Sequence, residues 1–156
     1  MGLRITMDSG AMIAELRNIA NKANSNAART LKRASIRARD LAKKNAPRDT
    51  GSLEESLEYG DREEANGRNA YFVYVKGEDR HKGGKKLVGV YADIMENELA
   101  PYGSGKYKVS RTSTKTGPVG GKYLERAVNK ATEKINDEMM QAARAALLSS
   151  PNGRVK

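Results

Sequence analysis

Three short groups of residues have the types and spacing that could do chemistry. Asp49-Thr50-Gly51 matches the triplet that carries the catalytic carboxylate of aspartic proteases, where two such carboxylates share a proton. In those enzymes the triplet leaves a hydrophobic strand. Here Asn45-Ala46-Pro47-Arg48 precedes it and Ser52-Leu53-Glu54-Glu55 follows, a context that specifies a turn, with Asp49 accepting backbone hydrogen bonds and Gly51 supplying a positive φ. Gly103-Ser104-Gly105-Lys106 resembles part of a phosphate loop, but Ala100 stands at the position of the first glycine and Tyr107 at that of the magnesium-binding hydroxyl. His81 is the only histidine, with Glu78 and Asp79 beside it; two carboxylates and one imidazole in a charged loop more often bind nothing specific. The chain has no Cys, which excludes disulfides, thiolate zinc sites and cysteine nucleophiles, and without a second His the usual triads are absent. The expectation is a protein that is not an enzyme, with no catalytic residue, no cofactor and no metal.

Charge says more than any of these groups. The formal net charge is +10 over 156 residues, unevenly placed. Segment 1 to 48 carries eleven Lys and Arg against Asp8, Glu15 and Asp40, a net of +8. Segment 49 to 64 carries Asp49, Glu54, Glu55, Glu58, Asp61, Glu63 and Glu64 against Arg62, a net of −6. Such polarity serves either nucleic acid or neighbouring copies whose opposite patches meet. The core is thin, because the chain has no Trp and one Phe, so partner subunits are expected to supply part of the stability. The opening MGLRITMDSG lacks the apolar stretch of a signal peptide, and no run approaches the roughly 18 to 20 apolar residues of a membrane span. Synthesis in a reducing cytoplasm and no membrane partner are expected.

These groups need elements to hold them. From residue 12 to about 45, Met12, Ile13, Leu16, Ile19, Ala20, Ala23, Ala27, Leu31, Ala34, Ala38 and Leu41 recur at helical spacing. Arg17, Lys22, Arg29, Lys32, Arg33, Arg39, Lys43 and Lys44 take the opposite side. This pattern predicts a long amphipathic helix, capped by Asp8 or Ser9 and stopped by Pro47. Ile36 falls on the basic side, as a harmless exception or one spot of a partner surface. Residues 71 to 75 and 87 to 91 read as strands from their β-branched and aromatic content. A third strand is predicted around 56 to 62, preceded by a short turn in which Ser52 and Glu55 are spaced as a capping box. A final helix is predicted from about 122 to 148, with Leu124, Val128, Ala131, Ile135, Met139, Ala142 and Ala146 on one side. Residues 98 to 121 have no apolar period and read as an extended, flexible arm, and 149 to 156 as a flexible tail. The result is an α+β domain over 1 to 148: a long N-terminal helix and a C-terminal helix packed on a small, mostly antiparallel sheet, with a long flexible loop.

The order of the pieces carries a resemblance. A long helix followed by Ala46-Pro47-Arg48-Asp49-Thr50-Gly51-Ser52-Leu53-Glu54-Glu55-Ser56-Leu57, then strands, then Tyr91-Ala92-Asp93-Ile94-Met95-Glu96, and finally Tyr123-Leu124-Glu125-Arg126-Ala127 resembles the tail-component or tail-completion family of long-tailed double-stranded DNA bacteriophages. The resemblance marks Pro47, Asp49, Thr50, Gly51, Leu53, Ser56, Tyr91, Ala92, Glu96, Tyr123, Leu124 and Ala127 as signature positions. The chain departs from the family pattern at Asn97-Glu98-Leu99 and at the entry to the last helix, Gly117-Pro118-Val119-Gly120-Gly121. The resemblance implies a structural virion protein in the neck that forms or joins a homo-oligomeric ring, of roughly six or twelve copies, at the head-tail junction through which DNA passes. Portal or adaptor proteins and the tail terminator or tail tube would be its partners.

On this reading Glu54, Glu55 and Glu58 are expected to meet Arg29, Arg33 and Ile36 of the next copy, since a closed ring needs two different faces in contact. Lys32, Arg39, Lys43 and Lys44 are candidates for facing passing DNA without reading its sequence. The competing reading is a sequence-independent nucleic-acid-binding protein that uses the basic face of helix 12 to 45. It predicts strongly salt-dependent duplex affinity. A third, the aspartic protease, predicts activity that Asp49→Asn abolishes.

Overall fold

A computed structural model describes residues 9–47, 51–65, 68–78, 87–97, 113–114 and 117–149. Among these residues the elements in chain order are α1 (Ser9–Asn45), α2 (Ser52–Ser56), β1 (Leu57–Glu63), β2 (Asn69–Val75), α3 (Val88–Asn97), β3 (Ser113–Thr114), β4 (Gly117–Pro118), α4 (Tyr123–Thr132) and α5 (Ile135–Leu148). The architecture is α+β, as the periodicity predicts. The chain forms two compact units, residues 31–135 and residues 1–30 with 136–156.

The larger unit holds the core. Proline cannot continue a helix and pushes the residue before it out of the helical region, so α1 stops at Asn45, two residues before Pro47. On its last turns Ala34, Ala38, Ala42 and Ala46 are buried, one small residue per turn, so other elements approach the helix backbone closely. Gly51, at φ 84, turns the chain into α2 through a left-handed conformation that glycine adopts without steric cost. Strands β1 and β2 pair antiparallel, from Leu57 opposite Val75 to Glu63 opposite Asn69, and the Glu64 N–H donates to the Arg68 carbonyl at 2.8 Å to close the hairpin. Strand alternation sends Leu57, Tyr59, Val73 and Val75 to one face and Glu58, Gly60, Phe72 and Tyr74 to the other. Ala42, Ala46, Leu53, Leu57, Val88, Ala92, Met95, Tyr123 and Ala127 make the buried cluster.

Three expectations are corrected. Residues 88 to 91 form the start of α3 and not a strand. Val88, Ala92 and Met95 are buried at helical spacing, and that burial outweighs the weak β preference of a five-residue window. Gly89 also needs to be glycine there, because a Cβ would sit 2.9 Å from the Gly77 Cα. Ser52 is the first residue of α2, and the N-cap is Gly51 in a left-handed conformation, one residue ahead of the cap position expected at Ser52. The predicted last helix is two, α4 and α5, separated at Glu133 and Lys134; the Thr132 hydroxyl donates to the Val128 and Asn129 carbonyls at 2.9 and 3.1 Å, a competition with the backbone ladder that bends helices. The far end of the expected arm is also part of the fold. β3 and β4 pair, and Val119 is fully buried.

In the smaller unit, the Asn26 amide donates to the Ala142 carbonyl at 3.2 Å and Ala146 is buried. The expected apolar stripe of α1 is present but not covered at its start: Met12, Ile13 and Leu16 are 54, 51 and 55% exposed. On α5, Met140, Leu147 and Leu148 are more than half exposed as well. Among the described residues no helix is long and apolar enough to cross a membrane.

Candidate functional site

The signature positions that lie within the described residues converge on one place, while Asp49 and Thr50 lie outside those residues. Pro47 is buried at the end of α1, and the carbonyl of neighbouring Asn45 accepts the Gly120 N–H at 3.3 Å. Leu53 and Ser56 lie one turn apart on α2, both buried, and the Ser56 hydroxyl is satisfied by the Ser52 carbonyl. A buried hydroxyl without such a partner would be costly. The residue after Ser56 is Leu57, fully buried, so α2 is a short lever that delivers β1 to the core.

Glu96 is the polar centre of this cluster. Its position one turn after Ala92 aims the carboxylate at the start of α4. Its two oxygens accept the Leu124 and Glu125 N–H groups at 2.9 and 3.0 Å, while its own carbonyl accepts the Lys122 N–H at 2.9 Å. The first N–H groups of a helix have no intrahelical partner, and the helix dipole favours negative charge there. Lys122, which precedes α4, holds φ 60 and makes no side-chain cap bond, so Glu96 caps α4 from 28 residues upstream. The Arg126 guanidinium donates to the Gly121 carbonyl and, at 3.3 Å, to that of Gly120, which fixes the chain entering α4.

Tyr123 and Ala127 lie on the α4 face that packs into the core, at 1 and 0% exposure, while Leu124 and Tyr91 pack at its edge. Burial, reinforced by the nearby Glu96 and Tyr91, pushes the Tyr123 phenol well above its ordinary value of 10.0 because a buried phenolate loses hydration. The side chain is therefore a neutral packing group at physiological pH. These residues clamp α1, α2, α3 and α4 together. Their polar atoms cap helix ends and satisfy carbonyls.

The charged candidates are placed differently. Tyr59, on the inner face of β1, has the Lys32 ammonium 6.0 Å and the Arg39 guanidinium 5.3 Å from its ring centre. Lys32 also pairs with Asp61 at 3.7 Å and Arg39 with Asp40 at 2.7 Å. Two of the four candidates for facing DNA thus hold the hairpin against α1. A third, Lys43, helps to stabilise the Glu58 carboxylate. Lys76, bonded to Glu58 at 2.7 Å, is the main reason that Glu58 titrates below its usual value. Lys44, Arg33 and Arg29 are exposed on α1 and Ile36 is half-buried; Arg29 donates to Asn26 at 2.7 Å. Glu55 is exposed and Glu54 half-buried. The acidic segment is thus partly answered within its own chain, by Lys32 and Lys76.

Sequence reasoning missed Tyr59 and Lys76, which register would have found. Leu57 must face the core, so Tyr59 shares its face, and Lys76 follows the residue paired with Leu57. His81, Asp79 and the segment 103 to 106 lie outside the described residues. Among the described residues, no group of three His, Cys, Asp or Glu side chains is placed to hold a metal ion. An apolar groove of about 320 Å³ in the larger unit is lined by Leu31, Ala38, Phe72, Val73, Val128 and Ile135, with hydroxyls from Ser35, Tyr71 and Thr132 at its walls.

A family model described as "Bacteriophage HK97-gp10, putative tail-component" matches residues 10–97, which takes in α1, the Pro47 to Leu57 signature, the hairpin and α3. No curated protein and no solved structure matches the chain.

Proposed function

Because the chain belongs to the bacteriophage HK97-gp10 tail-component family, we propose that it is a non-enzymatic structural protein of the virion neck. It completes the tail by forming or joining a ring at the head-tail junction through which DNA passes. Portal or adaptor proteins lie on one side of it and the tail terminator or tube on the other. The observation that carries this reading is the match over 10–97. A joint that transmits force between head and tail needs helices locked to one another, and Glu96 capping α4 from α3 supplies such a lock. Gold-labelled antibody on released particles tests the reading. Label confined to the head-tail junction supports it, and unlabelled particles overturn it.

Contact with the passing genome is a second, compatible reading. Arg33, Arg37 and Lys44 are exposed along the last turns of α1, a row suited to phosphates and indifferent to sequence. If this reading holds, duplex affinity of the isolated protein falls steeply with salt, and charge removal at these three positions flattens the dependence. Equal affinity for the variant and the parent overturns it.

A further inference from the structure

We propose that the open edge of β2 is a strand-acceptor site for a second copy of this chain, and that Leu3-Arg4-Ile5-Thr6-Met7 is the strand it accepts. This rests on the ring reading and deepens it, since it names acceptor and donor. Pairing with one neighbour leaves every second residue of an antiparallel strand with its backbone groups turned outward. At the two ends of the hairpin the Lys76 N–H donates to the Ser56 carbonyl and the Glu64 N–H to that of Arg68. In that register Tyr74, Phe72 and Ala70 turn their backbone groups toward β1, and Tyr71, Val73 and Val75 turn theirs away. Among the described residues the sheet has two strands, and no backbone bond runs from Tyr71 or Val73 to a further element.

The two edges are not equivalent. β1, LEYGDRE, carries Glu58, Asp61, Arg62 and Glu63, charges of the kind that protect an edge from pairing with another chain. From Tyr71 to Val75, β2 carries neither charge nor proline. Beside that edge lies the apolar groove, lined by Tyr71, Phe72 and Val73 and by Leu31, Val128 and Ile135. Consecutive strand residues point to opposite faces, so a groove lined by three in a row follows the edge of the strand. Free main-chain groups next to a pocket for alternate side chains are what strand addition needs.

Pattern and reach select the donor. Of the stretches outside the described residues, 3 to 7 alternates over three large apolar residues, Leu3, Ile5 and Met7, with Arg4 and Thr6 between them; Tyr107-Lys108-Val109 offers two. From Leu3 to Ser9 the chain spans at most about 20 Å. From Ser9 to Leu31, the first groove residue along the helix, α1 rises about 33 Å. The segment therefore falls short of the groove of its own copy and serves that of a neighbour. Such a contact joins two different faces, the kind that closes rings.

The test uses the full chain. Ile5→Pro removes a ladder N–H and a large side chain, and it weakens self-association in sedimentation velocity by about tenfold or more while helical circular dichroism stays that of the parent. The groove of this variant binds a labelled peptide of residues 2–8, read by fluorescence anisotropy, and the same peptide carrying Ile5→Pro does not bind. The chain has no Cys, so oxidation locates the contact. Ile5→Cys mixed with Thr132→Cys, an exposed residue of the groove wall, gives heterodimers in excess of either homodimer, and the double variant gives linked ladders of copies. An intramolecular disulfide in the double variant, or heterodimers no more frequent than homodimers, overturns the assignment. Self-association unchanged by Ile5→Pro, or a parent that stays monomeric at every concentration, overturns it too and leaves the neck reading standing. Absence of the chain from particles overturns the neck reading instead, while peptide binding by the isolated chain is still measured.

Discussion

The two compact units show opposite relations between sequence pattern and burial. In the larger unit the buried apolar residues of α1 are small: Ala42 and Ala46 share one cluster with residues of α2, β1, α3 and α4, and Ala34 and Ala38 line a groove with residues of β2 and α4. In the smaller unit the first turns of α1 carry large residues, Met12, Ile13 and Leu16, and these are left more than half exposed. The larger unit is specified by contacts within the chain. The smaller one leaves large apolar side chains exposed on both of its helices, Met12, Ile13 and Leu16 on α1 and Met140, Leu147 and Leu148 on α5.

The largest effects should come from the larger unit. Leu57→Ala removes a fully buried side chain and should cost about 2 to 5 kcal/mol in denaturant unfolding. Leu16→Ala should change the stability of the dissociated chain by less than about 0.5 kcal/mol. Similar losses for both would erase the distinction between the units. Glu96→Ala removes the cap of α4 and should cost about 1 to 2 kcal/mol, with faster amide exchange confined to the first turn of α4. A loss spread evenly over the larger unit would show that Glu96 does something other than cap.

Titration sharpens the contrast. The Tyr123 phenol is raised in the folded chain, so its contribution is fully present below its ordinary value of 10.0. Above that pH the unfolded state ionises first and stability falls. Tyr123→Phe should flatten that alkaline decline. An unchanged alkaline profile would count against its burial. Glu58 works in the other direction. Its folded value lies below the ordinary 4.5, so the stability it supplies is present above that value and is lost as pH falls below it. Because the pair with Lys76 is solvent-exposed, Glu58→Gln should change the acid transition only slightly, the smallest effect in the series.

The same contrast governs what could be read from the sequence. The long helix and its stop at Pro47 were legible, because thirty residues of periodicity and a proline leave few alternatives. Of the hairpin, β2 was legible from its β-branched and aromatic run, whereas β1, LEYGDRE, has no such run, and its pairing with β2 took the place of the expected hairpin between 71 to 75 and 87 to 91. Residues 88 to 91 were not legible, since Val-Gly-Val-Tyr looks like a strand until Ala92 and Met95 are seen to share a face with Val88, and the tight crossing of Gly89 over Gly77 is a tertiary fact. Glu96 stood out as a signature position, but its role as a cap depends on a helix 28 residues away. For α1, periodicity identified the apolar face along its whole length. It could not say which part is covered from within the chain.

Complementation in vitro tests the central claim most directly. In lysates from phage-producing cells that lack this protein, filled heads and tails should accumulate unjoined, and adding the purified chain should join them into infectious particles. Joined, infectious particles formed in its absence would contradict the assignment to the neck.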